Sequence, residues 1–486
     1  MKGVIDMQWY HIMLLCILGL ILVLFVIILI RALLFKDKGV YTKETNFNFT
    51  DDDIVNKLGT LVKIPTISSQ NESEMDLEQF DLLIETTKKL YPTVFSKCEY
   101  EITKERAIKI KLKGLSDKKP TVLMAHYDVV AVTDEWKHNP FLGEVIDGSL
   151  YGRGSVDTKC TMACALSALE LALKKDYIPK NDLYLCFGSN EEVYGNSQVE
   201  IVKQFERDGI RPHFVFDEGG AILNGAFPGV KEDVAFLGMA EKPMVNIKLT
   251  LESNGGHSST PRKNGPVVRL SKAIVKLEQN PMEPNMSATV SELLNVLGRH
   301  MPFYFKMIFA NMWLFKGLVK KLFVKLSADT RALLTSTFAF TMLNGGTQTN
   351  IIPNKVEANI NVRISPFDNV DKIVEHIRKT IKDDDIIITP YDETPGFPEC
   401  SFKTEGFEIV KETVIETYPN TLVVPFLNVG GSDGKHWCRV SKCVIRFSPF
   451  KITKEERAGI HGNDEKIKVE TLKKCLEFYE RLLEKI

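Results

Sequence analysis

The chain has 486 residues, 44% of them hydrophobic and 26% charged, an ordinary globular composition with enough apolar material for more than one core. A formal net charge of -1, with no basic stripe carrying interleaved aromatics, argues against a nucleic-acid-binding surface. The sequence also contains no repeat at a solenoid period and no low-complexity tract.

Residues 12–30 form an uncharged apolar run that, as a helix, spans roughly 28 Å at 1.5 Å per residue, about the thickness of a hydrocarbon core. It reads as a single-pass membrane anchor. A cleaved signal peptide is the competing reading, disfavoured by the length of the run and by the lack of a small-x-small site before Arg31. Arg31, Lys36, Lys38 and Lys43 follow the run while only Lys2 and the terminal amine precede it, an asymmetry that favours a cytoplasmic C-terminal side. The sequons at Asn48, Asn71 and Asn285 bear only on the opposite topology. Nine cysteines are present, but neither Cys160 with Cys164 nor Cys438 with Cys443 has the spacing of a metal knuckle, so buried free thiols are expected.

Past the anchor, residues 107–112, 121–125, 183–188 and 214–216 read as strands, and residues 158–174 and 197–208 as helices. This alternation predicts a mainly parallel sheet with helices on both faces and ligands at the carboxyl ends of its strands. A second unit begins after Pro243. Strands over 244–252, 338–343, 356–364 and 386–390, with helices over 266–278 and 370–381, give the βαββαβ order of an α+β, ferredoxin-like sandwich. Within it lies an insertion, 301–326, rich in Phe, Met, Trp and Leu and interspersed with Lys306, Lys316, Lys320, Lys321 and Lys325. An amphipathic helical pair covering this unit is the plain reading; a surface that admits acyl chains or touches a bilayer is the sharper one.

The chemistry-bearing residues sit where that sheet would place them. His126 ends an apolar strand, and Asp128, two residues on, is positioned to hold the free nitrogen of the imidazole. Asp157 follows the glycine-bearing turn Gly152-Arg-Gly154 and precedes a helix, where a carboxylate can bridge two cations or simply cap the helix. Glu191 and Glu192 follow the strand ending at Gly188; on an extended backbone they point oppositely, so that one ligates while the other acts as a base. Asp217 and Glu218 close the strand 214–216, and His461 stands in a glycine-flanked loop. Two histidines with three or four carboxylates form an N/O donor set suited to zinc, with manganese or cobalt as alternatives.

His126-x-Asp128, Gly152-x-Gly154 with Asp157-x-Lys159, Glu191-Glu192, Asp217-Glu218-Gly-Gly, Gly256-His257-Ser-Ser, Asn350-x-Ile352-Pro353 and His461 resemble, in that order, the co-catalytic zinc peptidases of the aminoacylase and carboxypeptidase family. With the anchor and Asn311-Met-Trp-Leu-Phe315, the chain is most similar to the branch of carboxypeptidase S and the N-fatty-acyl-amino-acid hydrolases. The resemblance implies two zinc ions per chain. Asp157 bridges them, His126 and an acid from the Asp217-Glu218 pair, with Asp217 preferred, complete one site, and Glu192 with His461 complete the other. It also implies Glu191 as general base, Asp128 as the group orienting His126, and His257 as a lid histidine that stabilises the oxyanion, in many members across a lid-mediated homodimer. Asn350, Arg363, Gly431 and Ser432 are similar to segments that hold a substrate carboxylate.

The expected domains are an anchor (1–40), a catalytic domain in two parts (45–242 and 394–486) and a lid (243–393). The expected activity is hydrolysis, by a dizinc-activated water, of an amide next to a free carboxylate in N-acyl amino acids or short peptides. A membrane-tethered binding protein on the same fold is the alternative.

Overall fold

The structure is a computed structural model that describes residues 2–37, 39, 53–132 and 135–486. Lys38, Lys43 and the sequon at Asn48, used above to read topology, lie outside the described residues.

The central sheet has eight strands in the spatial order Glu99–Ile102, Ile108–Leu112, Leu183–Gly188, Thr121–His126, Phe214–Leu223, Val444–Lys451, Asp233–Glu241, Thr421–Asn428. The four central strands run parallel to one another, while the Glu99–Ile102 and Ile108–Leu112 strands attach antiparallel at one edge. Thr121–His126 and Leu183–Gly188 are buried at every residue, which is why they read as continuous apolar runs rather than alternating ones. The helix Lys159–Lys174 covers one face and is buried along most of its length, and the C-terminal helix Val469–Lys485 packs beside it.

Predicted and observed elements agree to within a residue or two, with one informative exception. The strand expected over 214–216 continues to Leu223, because Glu218-Gly-Gly does not end it but bulges it. Arg446 of the neighbouring strand pairs with Asp217, and the next residue, Phe447, pairs with Gly220.

The second unit is a four-stranded antiparallel sheet in the order Thr337–Gly345, Lys355–Arg363, Met244–Glu252, Ile386–Tyr391, with the helices Pro266–Gln279 and Val370–Ile381 on one face. In Lys355–Arg363 the buried apolar residues alternate as Val356, Ala358, Ile360 and Val362. They meet Ile373, Ile377 and Ile381, which recur every fourth residue along Val370–Ile381. Each such isoleucine contributes roughly 1.5–3 kcal/mol by leaving water. That helix starts where the side chain of Asn369 accepts the N–H of Lys372 at 2.9 Å.

The insertion does not cover this second unit. Its helices Phe303–Phe309 and Met312–Leu326, with the flanking helices Ala288–His300 and Ala328–Leu334, pack instead on the outer edge of the central sheet, where Leu293, Leu297, Phe309 and Phe323 meet Val234, Phe236, Leu422 and Val424. Val234, Phe236, Leu422 and Val424 make that edge apolar, so covering it with these helices takes it out of water.

The helix Lys2–Leu34 contains an apolar stretch, Trp9–Leu34, long enough to cross a membrane. Its side chains are exposed over most of that stretch and become buried only at Ile28 and Ala32 near its end. All nine cysteines are free.

Candidate metal centre

Three loops deliver the site to the carboxyl ends of the central strands. His126 is the last residue of its strand and pairs with Gly188, which ends the neighbouring one. Its ring is fixed from below: Nδ1 lies 3.0 Å from the carbonyl oxygen of Asp128 and 3.3 Å from Asp128 Oδ1. Asp128 is fully buried and accepts three more hydrogen bonds, from Ser68 Oγ at 2.7 Å and from the backbone N–H groups of Glu191 and Glu192 at 3.1 Å each. The same carboxylate therefore orients the histidine and sets the position of the glutamate pair.

The other ring nitrogen of His126 faces two acids. Nε2 is 3.2 Å from Asp157 Oδ1 and 3.1 Å from Glu218 Oε1. On the far side of Asp157, Oδ2 is 3.0 Å from His461 Nε2, which is itself 3.1 Å from Glu192 Oε2. Asp157 thus presents one oxygen to each histidine, and no capping hydrogen bond ties the following helix to a side chain at its start. Two overlapping groups have ligand atoms within 4.8 Å of one another: His126 with Glu191 and Glu218, and His126 with Asp157 and Glu192.

Glu191 and Glu192 are not on extended backbone as expected. They open a short 3-10 turn, Glu191–Val193, closed by Tyr194 in the left-handed region. The two acids at the end of the Phe214–Leu223 strand divide their roles by the bulge. Glu218 reaches His126, whereas Asp217 Oδ2 accepts Ser432 Oγ at 2.8 Å and the N–H of Gly434 at 2.7 Å. Gly219 makes the bulge: its φ is +148°, and a Cβ there would lie 2.8 Å from Arg446 Cβ.

Glu465 and Ser68 take part although nothing in their local sequence singles them out, and Asp433, in the loop likened above to a carboxylate-holding segment, is buried beside the acids instead. Glu465 accepts the N–H groups of Gly154, Val156 and Asp157 at 3.2, 2.8 and 3.1 Å. It also forms a 2.7 Å ion pair with Arg153, whose other branch donates to the carbonyl of Gly462. The turn carrying Asp157 and the loop carrying His461 are thereby tied together. Glu465 is the last of the acids following His461, and nothing in an Asn-Asp-Glu run distinguishes the buried one.

The electrostatics are those of a donor set without its counter-charge. Burial raises Glu191 well above the ordinary carboxyl range, with Glu218, Asp433 and Glu192 adding to it and His126 opposing. Glu218 is pushed up to about 8 by burial and by Asp157, against the pull of His126. Burial opposes charge on His126, yet Glu218, Asp128 and Asp157 raise its pKa overall. His461 is raised to about 10 by Asp157 and Glu192. Glu192 Oε1 and Asp433 Oδ2 are buried without a hydrogen-bond partner, an arrangement that costs free energy unless a cation is bound. The residues fit a pair of divalent cations.

Beside the Glu191–Val193 turn, a narrow cleft of about 30 Å³ is lined by Tyr194, Lys242, Arg363, Gly431 and Lys435, together with the ion-paired Glu241 and Arg446. Arg363 and Gly431 thus share one cavity. Ser432 does not line it as a free donor: its hydroxyl is committed to Asp217 and Glu241. His257 and Asn350 lie elsewhere, together. His257 pairs with Ile351 in a short two-stranded ladder between distant segments, the N–H of Ser258 donates to the carbonyl of Asn350, and the His257 ring contacts Ser259 Oγ at 2.7 Å. Among the described residues no hydrogen bond or ion pair joins His257 to the metal-centre acids.

The profile of Peptidase family M20/M25/M40 matches residues 122–485. The chain is 31% identical over 444 residues to a probable carboxypeptidase S-like 2 of Dictyostelium discoideum, covering 89% of this chain and 85% of that one. It is 31% identical over 434 residues to the N-fatty-acyl-amino acid synthase/hydrolase PM20D1 of Homo sapiens, covering 87% and 86%. Among solved structures, the M20 metallo-carboxypeptidase Sso-CP2 of Sulfolobus solfataricus superposes with a TM-score of 0.68 at 20% identity, over 89% of this chain and 99% of that one. The Bacillus subtilis YXEP protein, described as a dinuclear metal-binding peptidase, gives 0.54 at 14% identity, over 88% and 96%. The profile match and the two sequence relatives, with the solved structures sharing the fold, establish that this chain is a hydrolytic enzyme belonging to peptidase family M20/M25/M40.

Proposed function

We propose that the enzyme hydrolyses an amide bond next to a free carboxylate, in N-acyl amino acids or short peptides. The observation that carries this reading is a base candidate beside a cleft lined by Arg363: ligand atoms of Glu191, His126 and Glu218 lie within 4.8 Å of one another, and Tyr194, which closes the Glu191 turn, lines that cleft. The names of the PM20D1 relatives favour the N-acyl amino acid over the peptide.

His126, Asp157 and Glu218 would hold one divalent cation and Asp157, Glu192 and His461 the other, with zinc favoured by the N/O donor set and manganese or cobalt as alternatives. The pair supplies Lewis-acid polarisation of the scissile carbonyl and a water acidic enough to lose its proton near neutral pH. Glu191 accepts that proton as the water oxygen bonds to the carbonyl carbon, then delivers it to the nitrogen as the C–N bond breaks, leaving a carboxylic acid and a free amino acid. Burial, which favours protonated Glu191, suits the second of these steps. Asp128 keeps His126 and the glutamate pair in register.

Arg363 pairs with the substrate carboxylate inside the cleft, with the Gly431 loop closing over it. Ser432 acts one step back, holding Asp217 and hence the loop. His257 and Asn350, beside one short ladder of the second unit, reach the site when that unit closes as a lid, either in the same chain or across a homodimer. The helix containing Trp9–Leu34 tethers the enzyme to a membrane. Its length, about 39 Å at 1.5 Å per residue, and its exposed apolar side chains support this.

The test is release of free amino acid from a panel of N-acyl amino acids and dipeptides, with bound metal measured in parallel. Release that tracks about two bound ions per chain is expected. Full turnover in metal-free protein, or none on any member of the panel by metal-loaded protein, overturns the reading.

A further inference from the structure

The apolar helix does not leave the body of the enzyme freely. Arg31 donates to the carbonyl of Ala310 through Nε at 3.2 Å and Nη2 at 3.0 Å. In return, Asn311, fully buried, donates through Nδ2 to the carbonyl of Ile28 at 3.1 Å. Arg299 stacks its guanidinium 4.6 Å from the ring centre of Phe35 and donates to the carbonyl of Lys36. These contacts fix the end of the apolar helix against the junction between Phe303–Phe309 and Met312–Leu326.

That junction opens onto an exposed apolar face. Leu314, Leu318, Leu322 and Leu326 follow one another every fourth residue and are 41–58% exposed, with Trp313 at 59% and Tyr304 at 63% beside them. Only Val319 and Phe323 of Met312–Leu326 are buried against the sheet edge, so the apolar sector of the helix is wider than the surface it covers. Residues 301–326 contain five lysines and no acidic residue.

We infer that Phe303–Phe309 and Met312–Leu326 lie in the interface of the same bilayer that the N-terminal helix crosses, the exposed leucines and Trp313 entering the headgroup boundary and the lysines meeting anionic headgroups. This rests on the proposed reading of the apolar helix as a span. Given the span, the geometry leaves little choice: Trp313 is two residues from the side chain that holds Ile28, so it stands where the span leaves the hydrocarbon. The helix after the seat, Ala328–Leu334, touches the cleft wall: Lys242 donates to the carbonyls of Ala332 and of its C-terminal cap Thr335.

The test uses the full chain reconstituted in phosphatidylcholine vesicles brominated on the acyl carbons nearest the headgroup, with and without phosphatidylserine. Trp9→Phe and Trp313→Phe variants assign the quenched emission; the half-buried Trp136 and the buried Trp437 supply the background common to all variants. The expected result is loss of most of the emission of both Trp9 and Trp313, with phosphatidylserine deepening the loss at Trp313 and Lys320→Glu/Lys321→Glu abolishing that increment. Quenching of Trp9 without Trp313 leaves the span standing and overturns the seat. Quenching of neither overturns both. Quenching of Trp313 alone supports surface contact and overturns the span.

Discussion

Arg153 and Glu465 form an ion pair of 2.7 Å in which both side chains are almost wholly buried, at 2% and 1% exposure. Because Glu465 also accepts the backbone of the turn that carries Asp157, the pair braces the centre of the metal site. Removing one partner leaves a buried charge unanswered, which typically costs about 3–5 kcal/mol. Glu465→Ala is therefore expected to lower the midpoint of thermal unfolding substantially and to weaken metal retention during dialysis. A variant with unchanged unfolding and metal content would show the brace to be dispensable.

Glu191 and Glu192 are expected to separate in metal analysis. Glu191→Gln keeps bound metal close to wild type while turnover falls by orders of magnitude, since an amide cannot accept the proton. Glu192→Gln loses metal first, because its Oε2 is the atom facing His461. The opposite pattern would exchange their roles.

A parallel comparison divides Asp217 from Glu218. Glu218→Gln should reduce metal occupancy, as Glu218 faces His126. Asp217→Asn should instead destabilise the loop held by Ser432 and Gly434, seen as faster proteolysis near residue 431 with metal affinity less changed. Metal loss confined to Asp217→Asn would return the ligand role to that residue.

Burial lowers Lys242 from 10.5 to about 7, with Arg363 adding to the effect and Asp368 opposing. The folded state therefore releases this proton first, and between about pH 7 and 10.5 the unfolded chain binds more protons, so this group makes stability rise with pH across that window. Urea unfolding at pH 7 and pH 9 should show a smaller rise in Lys242→Met than in the wild type. Equal slopes would mean that Lys242 titrates normally.

Truncation should depend on where the cut falls. Removing residues 1–27 deletes most of the exposed apolar helix, whereas removing residues 1–37 also strips Ile28, Ala32 and Phe35 from the insertion and leaves Asn311 without the Ile28 carbonyl. The second protein is expected to be less stable by a few kcal/mol, about one or two buried apolar side chains. Denaturant midpoints that coincide would show the docked turns to contribute nothing.

Much of the site was legible because strand ends are legible. His126 and the glutamate pair each follow a buried apolar run, and the glycines before Asp157 mark its turn. Which of Asp217 and Glu218 faces His126 was not legible, because a bulge at Gly219 decides it and a bulge depends on the register with Arg446, far away in the chain. Glu465 was hidden for a related reason: an acid in an acidic loop reads as solvated until Arg153 is placed against it. The insertion was recognised as amphipathic, but its packing partner was misjudged, since periodicity identifies a face to be buried without naming what buries it.

His126 and His461 contact the same aspartate, yet they lie near opposite ends of the catalytic chain, with the whole second unit between them. The centre can therefore close only after the parallel strands have paired across long connections, late in folding. Cations that bind only the finished site add nothing to the early steps and stabilise the native state alone, so their effect falls on the rate of unfolding rather than on the rate of refolding. With the cations proposed for it bound, this enzyme is expected to depend on metal supply for how long a folded molecule lasts more than for how readily a new one forms.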